Sequence, residues 1–161
     1  TVSTGTLEAD QAAVANVGGV LSWDDGGTAQ TIATSTVTKV DWDSVSIDHS
    51  VVSADPANGE IVIQQAGTYQ MSGFVTFEEG TFSADDSVLI FIFINGLQKK
   101  LINKTYSANG RESFELPNLV FELDDSDTVD LRVSQSSGAD QELSNALGNS
   151  SQRGQFSVMQ I

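Results

Sequence analysis

Apolar and polar residues alternate most regularly between Gly59 and Phe77. In the second half of this segment one side is apolar or glycine and the other polar, the two sets being Tyr69, Met71, Gly73, Val75 and Phe77, and Gln70, Ser72 and Thr76. A period of two is typical of a β-strand with one buried face. Ala66-Gly67 divides the segment, and glycine takes the positive φ of a tight turn at little cost. The segment therefore predicts two antiparallel strands joined by a turn.

Similar patterns predict strands over most of the remaining chain. Asn95-Gly96 is a strong hairpin signal, because both residues tolerate positive φ. The segment from Gln30 to His49 resembles a strand but changes its apolar side near Trp42-Asp43, which predicts a bulge or a break. Further strands are predicted for residues 87–94, 97–106, 114–123, 128–133 and 155–161. The fold class that follows is antiparallel all-β.

The first part of the chain, Thr1 to about Ser22, consists of small and polar residues without a large aromatic side chain. Leu7 to Val17 is compatible with a short helix, but its apolar stripe is mostly alanine and valine. We therefore expect residues 1–28 to form an irregular N-terminal arm, either ordered against another surface or frayed, and residues 29–161 to form the folded domain.

The segment from Val88 to Ile94 is apolar on both sides. Val88, Ile90, Ile92 and Ile94 point one way, whereas the other side is formed by Leu89, Phe91 and Phe93. Each sheet of a sandwich turns only one face to the core. Leaving the second side in water forfeits about 1.5–3 kcal/mol per side chain. A second copy of the chain is the expected cover, and the N-terminal arm is the competing one.

Composition narrows the possible partners. The formal charge is −15 and the isoelectric point is near 4.1, so phosphate backbones and anionic lipids repel the chain, and neither nucleic acid nor a membrane is expected as a partner. Cysteine is absent from the sequence, which excludes disulfides and thiolate chemistry. No signal peptide is visible; Thr1 suits an intracellular product that has lost its initiator methionine, and a leader already removed is the alternative.

The sequence contains little that indicates catalysis. His49 is the single histidine, and neither a nucleophile elbow nor a phosphate-binding glycine loop is present, so we expect no enzyme activity and no cofactor. Asp124, Asp125 and Asp127 are candidate calcium ligands, since carboxylates are its usual ligands. The spacing of an EF-hand is absent and aspartate is common in β-turns, so no metal is expected.

Several of these segments together resemble the C1q/TNF-like jelly-roll superfamily. The matching residues are Asn58-Gly59, Gly67-Thr68-Tyr69, Val88 to Gly96, Leu123 to Leu131 and Phe156 to Ile161. The likeness covers about Thr36 to Ile161; Ser126-Asp127 departs from it, since the family often has Gly-Asp there. The resemblance implies an antiparallel two-sheet jelly-roll sandwich of ten strands that packs as a tight trimer through aromatic residues.

A short, acidic jelly roll without cysteine, such as this chain is expected to form, also looks like the trimeric decoration (cement) proteins of tailed-phage capsids. That resemblance implies a homotrimer made in the host cytoplasm and placed on the outside of the capsid, with an arm that reaches the major capsid (coat) protein. The residues expected at the trimer interface are Phe74, Leu89, Phe91 and Phe93. Those expected to bind the coat are Thr1, Val2, Leu7, Val14 and Val17.

The alternative function is a C1q-like module that binds a ligand or glycan on a viral fibre or a bacterial surface. Its binding loops would be Glu78–Asp86 and Gln135–Gly154. Proteins that bind glycans usually expose aromatic side chains in their loops, and these two loops offer only Phe82.

Overall fold

The computed structural model describes residues 17–23, 29–78, 82–83, 85–106, 112–143 and 154–161. Within these ranges every regular element is a strand, and no helix is long and apolar enough to cross a membrane. The strands are β1 (Val17–Ser22), β2 (Gln30–Ile32), β3 (Thr38–Lys39), β4 (Ser44–Asp48), β5 (Val52–Asp55), β6 (Glu60–Ile63), β7 (Gly67–Phe77), β8 (Ser87–Ile94), β9 (Leu97–Thr105), β10 (Glu112–Leu123), β11 (Thr128–Gln135), β12 (Gln141–Leu143) and β13 (Gly154–Gln160).

The strands form two sheets with antiparallel pairing between neighbours. Sheet 1 has the order β2-β12-β7-β13-β1-β4, and β10 pairs with β7 beside this path. Sheet 2 has the order β5-β6-β11-β8-β9, and β3 pairs with β11. The predicted antiparallel two-sheet sandwich is confirmed.

The core lies between the two sheets. On β7 the predicted inward residues Tyr69, Met71, Val75 and Phe77 are fully buried. The facing side of sheet 2 contributes Val88, Ile90, Ile92 and Ile94 from β8 together with Val129, Leu131 and Val133 from β11. The Tyr69 hydroxyl donates to the Gln65 carbonyl at 2.6 Å, so its polar end is satisfied, and burial raises its pKa. The alternation in the sequence therefore correctly separates the inward residues of β7 and β8 from the outward ones.

The Asn95-Gly96 hairpin is present between β8 and β9. Both residues are left-handed, with φ of 52° and 72°, as a two-residue turn of the I′ type requires. The Asn95 amide also donates to Asp127 at 2.6 Å and accepts from the Thr128 backbone N–H at 2.9 Å. One side chain thus joins this hairpin to the connection between β10 and β11.

The predicted arm needs a correction. Residues 17–22, assigned to the arm, form β1, which pairs along its whole length with β13 and also with β4. Leu21 of β1 is fully buried. Val17, expected to bind the coat, is the Cα partner of Gln160 and packs against the core, so it belongs to the domain. The described residues do not include the other four predicted coat contacts, Thr1, Val2, Leu7 and Val14, or most of the predicted helix.

The predicted interruption near Trp42-Asp43 is confirmed. β3 ends at Lys39 and β4 begins at Ser44. Between them Val40 and Trp42 are buried, with 0% and 3% of their surface exposed, while Asp41 and Asp43 are exposed. In this break Val40 and Trp42 therefore pack into the core, while the carboxylates of Asp41 and Asp43 stay at the surface.

Candidate assembly surface

The four residues expected at a trimer interface lie on opposite sides of the sandwich. The inward residues of β8 are the even-numbered ones, so Leu89, Phe91 and Phe93 point away from the core on sheet 2. On β7 the odd-numbered residues point inward, so Phe74 points away from the core on sheet 1. The structure brings three of the predicted residues together and separates Phe74 from them.

The outer side of β8 is largely covered within the subunit. Only 5% of Phe91 is exposed, and its ring lies 6.3 Å from that of Phe93. The Arg132 guanidinium lies 3.9 Å from the centre of the Phe93 ring, a cation–π contact. The expectation that Phe91 needs a second copy for cover is therefore wrong, because its own subunit buries it.

Ion pairs occupy the neighbouring part of the same outer side. Asp130, only 2% exposed, accepts from Arg132 Nε at 2.6 Å and from Nη2 at 3.1 Å. The Lys39 ammonium lies 3.7 Å from Asp130 and 3.2 Å from Glu60. The hydrogen bond to Asp130 raises the pKa of Arg132. Removing water from such a network is costly, so the part of this outer side around Asp130 is a poor docking surface.

The outer side of sheet 1 has a different chemistry. Its hydroxyl groups bond to one another across strands: Ser72 to Ser157 at 2.8 Å, Thr76 to Ser113 at 2.7 Å, and Ser22 to Ser46 at 2.7 Å. A hydroxyl that already has a protein partner loses less when a second surface excludes water. These pairs therefore lower the cost of burying this side against another molecule.

Apolar side chains accompany the paired hydroxyls. Val120 is 57% exposed and Ile47 is 39% exposed, while Phe74 and Met159 are half-buried. The name assembly face is used below for the following outward residues of β1, β4, β7, β10 and β13: Val20, Ser22, Ser46, Ile47, Gln70, Ser72, Phe74, Thr76, Ser113, Glu115, Val120, Glu122, Gln155, Ser157 and Met159. Of the four predicted interface residues, only Phe74 belongs to it.

A recess opens beside Phe74 on the assembly face. Its volume is about 230 Å³, and it is lined by Ser72, Gly73, Phe74, Glu115, Leu116 and Gln155. β10 has an irregular register between Leu116 and Leu119 at this point. The recess makes this part of the face concave.

The candidate calcium ligands Asp124, Asp125 and Asp127 lie in a turn between β10 and β11. Asp127 accepts from the Asp124 backbone N–H at 2.9 Å and from the Asn95 amide at 2.6 Å, so both of its carboxylate oxygens are used within the fold. In the described ranges, no three His, Cys, Asp or Glu residues are grouped closely enough to hold a metal. The structure offers no observation in favour of calcium at Asp124, Asp125 or Asp127.

The loops proposed for glycan binding are only partly described. Phe82, their one aromatic residue, is 1% exposed and stacks on Tyr106 with ring centres 4.1 Å apart. It also meets Phe77 edge-on at 5.3 Å. Phe82 is therefore a core residue and does not offer a surface to a sugar.

Comparison with known proteins identifies the fold and not the family. No family model matches the chain, and no curated protein matches it. Among solved structures, that of Eiger TNF from S. frugiperda is similar, with a TM-score of 0.62, 9% sequence identity, and coverage of 91% of this chain and 92% of that one. At that identity the likeness carries the fold alone. The chain has a TNF-like jelly-roll fold.

Proposed function

We propose that this chain is a structural protein that assembles into a homotrimer through the assembly face and decorates the outside of a virus capsid. The observation that carries the proposal is the outer side of sheet 1, where exposed Val120 and Ile47 accompany hydroxyl groups that already have partners. Burial of the apolar part is favourable by about 25 cal/mol per Å², and little of that gain is lost to unpaired hydroxyls.

A second surface on the same subunit complements the assembly face. In a ring of three copies, each contact joins two different surfaces. The edge strand β9 exposes Leu97 by 63% and Leu101 by 44%, next to the exposed Lys99 and Lys100. The assembly face carries exposed Glu115 and Glu122 on β10. Opposite charge and exposed apolar area support contact between β9 of one copy and the assembly face of the next.

The capsid part of the proposal is supported by the charge and by the resemblance described above. A charge of −15 suits an exterior position away from packaged nucleic acid. Three copies also bring three N-terminal segments, residues 1–16, to one shell, where modest single contacts combine through avidity. Thr1, Val2, Leu7 and Val14 are the proposed coat contacts.

Assembly is tested by adding a charge to the face. Val120→Asp buries a carboxylate in the proposed interface, so the particle mass in solution should fall from that of a trimer to that of a monomer. Val37→Asp is the matched control, because Val37 is 45% exposed but lies outside the assembly face. Native mass spectrometry and light scattering measure the mass. A wild-type monomer, or a Val120→Asp trimer, would contradict the proposal.

Decoration is tested with the same variants on empty shells assembled from the coat protein of the candidate virus. Wild type and Val37→Asp should sediment with the shells, whereas Val120→Asp and a chain that lacks residues 1–16 should remain in solution. The truncated chain should still be a trimer, which separates loss of attachment from loss of assembly. If the shells bind no wild-type protein, the proposed capsid role is wrong, while the proposed trimer is not contradicted.

A further inference from the structure

Three side chains form a row across the recess of the assembly face. Glu115 of β10 and Gln155 of β13 are both Cα partners of Phe74 on β7, one on each side of it. Side chains in directly opposite positions on one face of a sheet have Cβ atoms about 4.5–5.5 Å apart. All three line the recess of about 230 Å³. The recess therefore has a carboxylate on one side of an aromatic residue and a carboxamide on the other.

The polar ends of this row are free to accept hydrogen bonds. Within the part of the chain that the structure describes, neither the Glu115 carboxylate nor the Gln155 side-chain amide has a partner. Glu115 is exposed and Gln155 is half-buried. By contrast, Glu122 of the same strand accepts from the Thr68 hydroxyl at 2.7 Å. Free acceptor oxygens beside a negative charge favour a positively charged donor.

The matching donors lie on the edge strand β9. Lys39 and Arg132 pair with acidic side chains of their own subunit. Lys99 and Lys100 are exposed and have no acidic partner among the described residues, although the chain has 22 acidic residues. Two adjacent positive charges on this strand are thus available to an acidic group of another molecule.

The shape of β9 decides how it meets that molecule. The register between β8 and β9 shifts between Ile92 and Phe93. Lys100 is the Cα partner of Ile92, and Gln98 is that of Phe93. Lys99 between them has no partner residue on β8, so the strand bulges there. Bulges and lysines on an edge strand oppose the addition of a further strand, so β9 offers its side chains and not its backbone.

We propose that the recess of one copy binds the Lys99-Lys100 pair of the next copy, with Glu115 as the counter-ion. The inference rests on the homotrimer proposed above and assigns the contact that sets its register. The Gln155 carbonyl oxygen accepts a further hydrogen bond from the ammonium group, and the apolar stem of the lysine packs along half-buried Phe74. Complementary charges fix register and partner more than they add affinity, so this contact selects the head-to-tail arrangement of a ring.

The test is an exchange of charges in the full chain, followed by sedimentation equilibrium. Glu115→Lys makes each copy less negative, so a general charge effect would strengthen assembly. The subunit concentration at half-assembly should instead rise at least about tenfold, because lysines then meet a lysine. The double variant Lys99→Glu with Lys100→Glu should raise it as well. All three changes in one chain should return it to within about threefold of wild type.

Asp125→Lys is the matched control, since Asp125 is exposed and lies outside the assembly face. The charge change equals that of Glu115→Lys, but half-assembly should stay at the wild-type concentration or move to a lower one. Circular dichroism and the thermal midpoint verify that each variant is folded.

A second measurement uses the wild-type protein. A water-soluble carbodiimide joins a carboxylate to an amine only where the two groups are in contact. In a mixture of isotope-labelled and unlabelled chains, mass spectrometry should find Glu115 of one copy linked to Lys99 or Lys100 of another. Links between copies that leave out Glu115 would contradict the proposal.

The outcomes separate this contact from the trimer itself. A wild-type trimer that Glu115→Lys does not weaken, or that the combined chain does not restore, overturns the recess contact and leaves the trimer uncontradicted. Lysines that only protect the edge of β9 would give that result, because glutamates in their place protect it as well. A monomeric wild type overturns both proposals.

Discussion

Asp55 shows how one side chain fixes a turn between β5 and β6. One of its carboxylate oxygens accepts from the Asn58 backbone N–H at 3.1 Å and the other from the Asn58 side-chain amide at 2.7 Å. These bonds favour the ionised form, so the pKa of Asp55 lies below its ordinary value of 3.8, with the side-chain bond as the largest cause. Ionised Asp55 therefore stabilises the fold above pH 3.8, and the contribution disappears as the pH falls through the lowered value.

This assignment predicts the effect of removing the amide. Asn58→Ala takes away the largest cause of the shift, so the pKa of Asp55 should rise toward 3.8. An NMR titration of the side-chain carboxyl carbon measures it. Asn118→Ala changes an exposed asparagine on β10 of the other sheet and should leave the Asp55 titration unchanged. If Asn58→Ala left it unchanged too, the amide would not hold the carboxylate.

The turn itself was readable from the sequence, because Asp-Pro-Ala-Asn-Gly combines residues that favour turns locally. The hydroxyl pairs on the assembly face could not be predicted from the sequence. Ser72 and Ser157 are 85 positions apart, and Ser22 and Ser46 are 24 apart. Which serine meets which depends on the order of strands in the sheet, and a single sequence does not encode that order in any local pattern.

Among the elements, β7 and β8 were predictable and β1 was not. β7 repeats its apolar side over 11 residues, and β8 ends at an Asn-Gly turn, so local preference and burial agree. The six residues of β1 include Gly18 and Gly19, which weaken any strand pattern. A side chain at Gly18 would collide with the Val158 carbonyl oxygen and with Met159 of β13. Tertiary pairing, and not local preference, makes β1 a strand.

Two glycines in different elements should respond differently to a methyl group. At Gly73, in the middle of β7, a Cβ would collide with the Gln155 carbonyl oxygen of β13, so Gly73→Ala should lower the free energy of unfolding by about 2–3 kcal/mol. At Gly96 no atom lies within 4 Å of the added carbon, and only the positive φ of 72° opposes it. Gly96→Ala should cost about 1 kcal/mol.

Denaturation in urea, followed by circular dichroism, compares the two variants with wild type. Equal losses would mean that β13 moves away from β7 without penalty, and the close approach of the two strands would then have no energetic weight.

At the scale of the whole molecule, net charge opposes the proposed assembly. Each copy has a net charge of −15, whereas the exposed lysines of β9 offer only local attraction to the next copy. Salt screens repulsion between like charges over about 8 Å at physiological ionic strength. The net repulsion should outweigh the local pairs, since each copy has 22 acidic residues against 7 basic ones.

Association should therefore strengthen when salt is added. Between about 0.02 and 0.3 M sodium chloride, the subunit concentration at half-assembly should fall about tenfold. Sedimentation equilibrium measures this concentration, and Val37→Asp should follow wild type. Association that weakens with salt would show instead that contacts between β9 lysines and β10 glutamates dominate the interface.

β1 also gives the subunit two unlike poles. Its first residue, Val17, lies beside Gln160, and its last, Ser22, lies beside Gln155, next to Trp23 and Trp42, whose ring centres are 5.0 Å apart. Six extended residues span about 20 Å. Val17 thus lies at the pole opposite the two tryptophans. A subunit attached to a surface at the Val17 pole would hold the tryptophan pole outward, toward the surroundings.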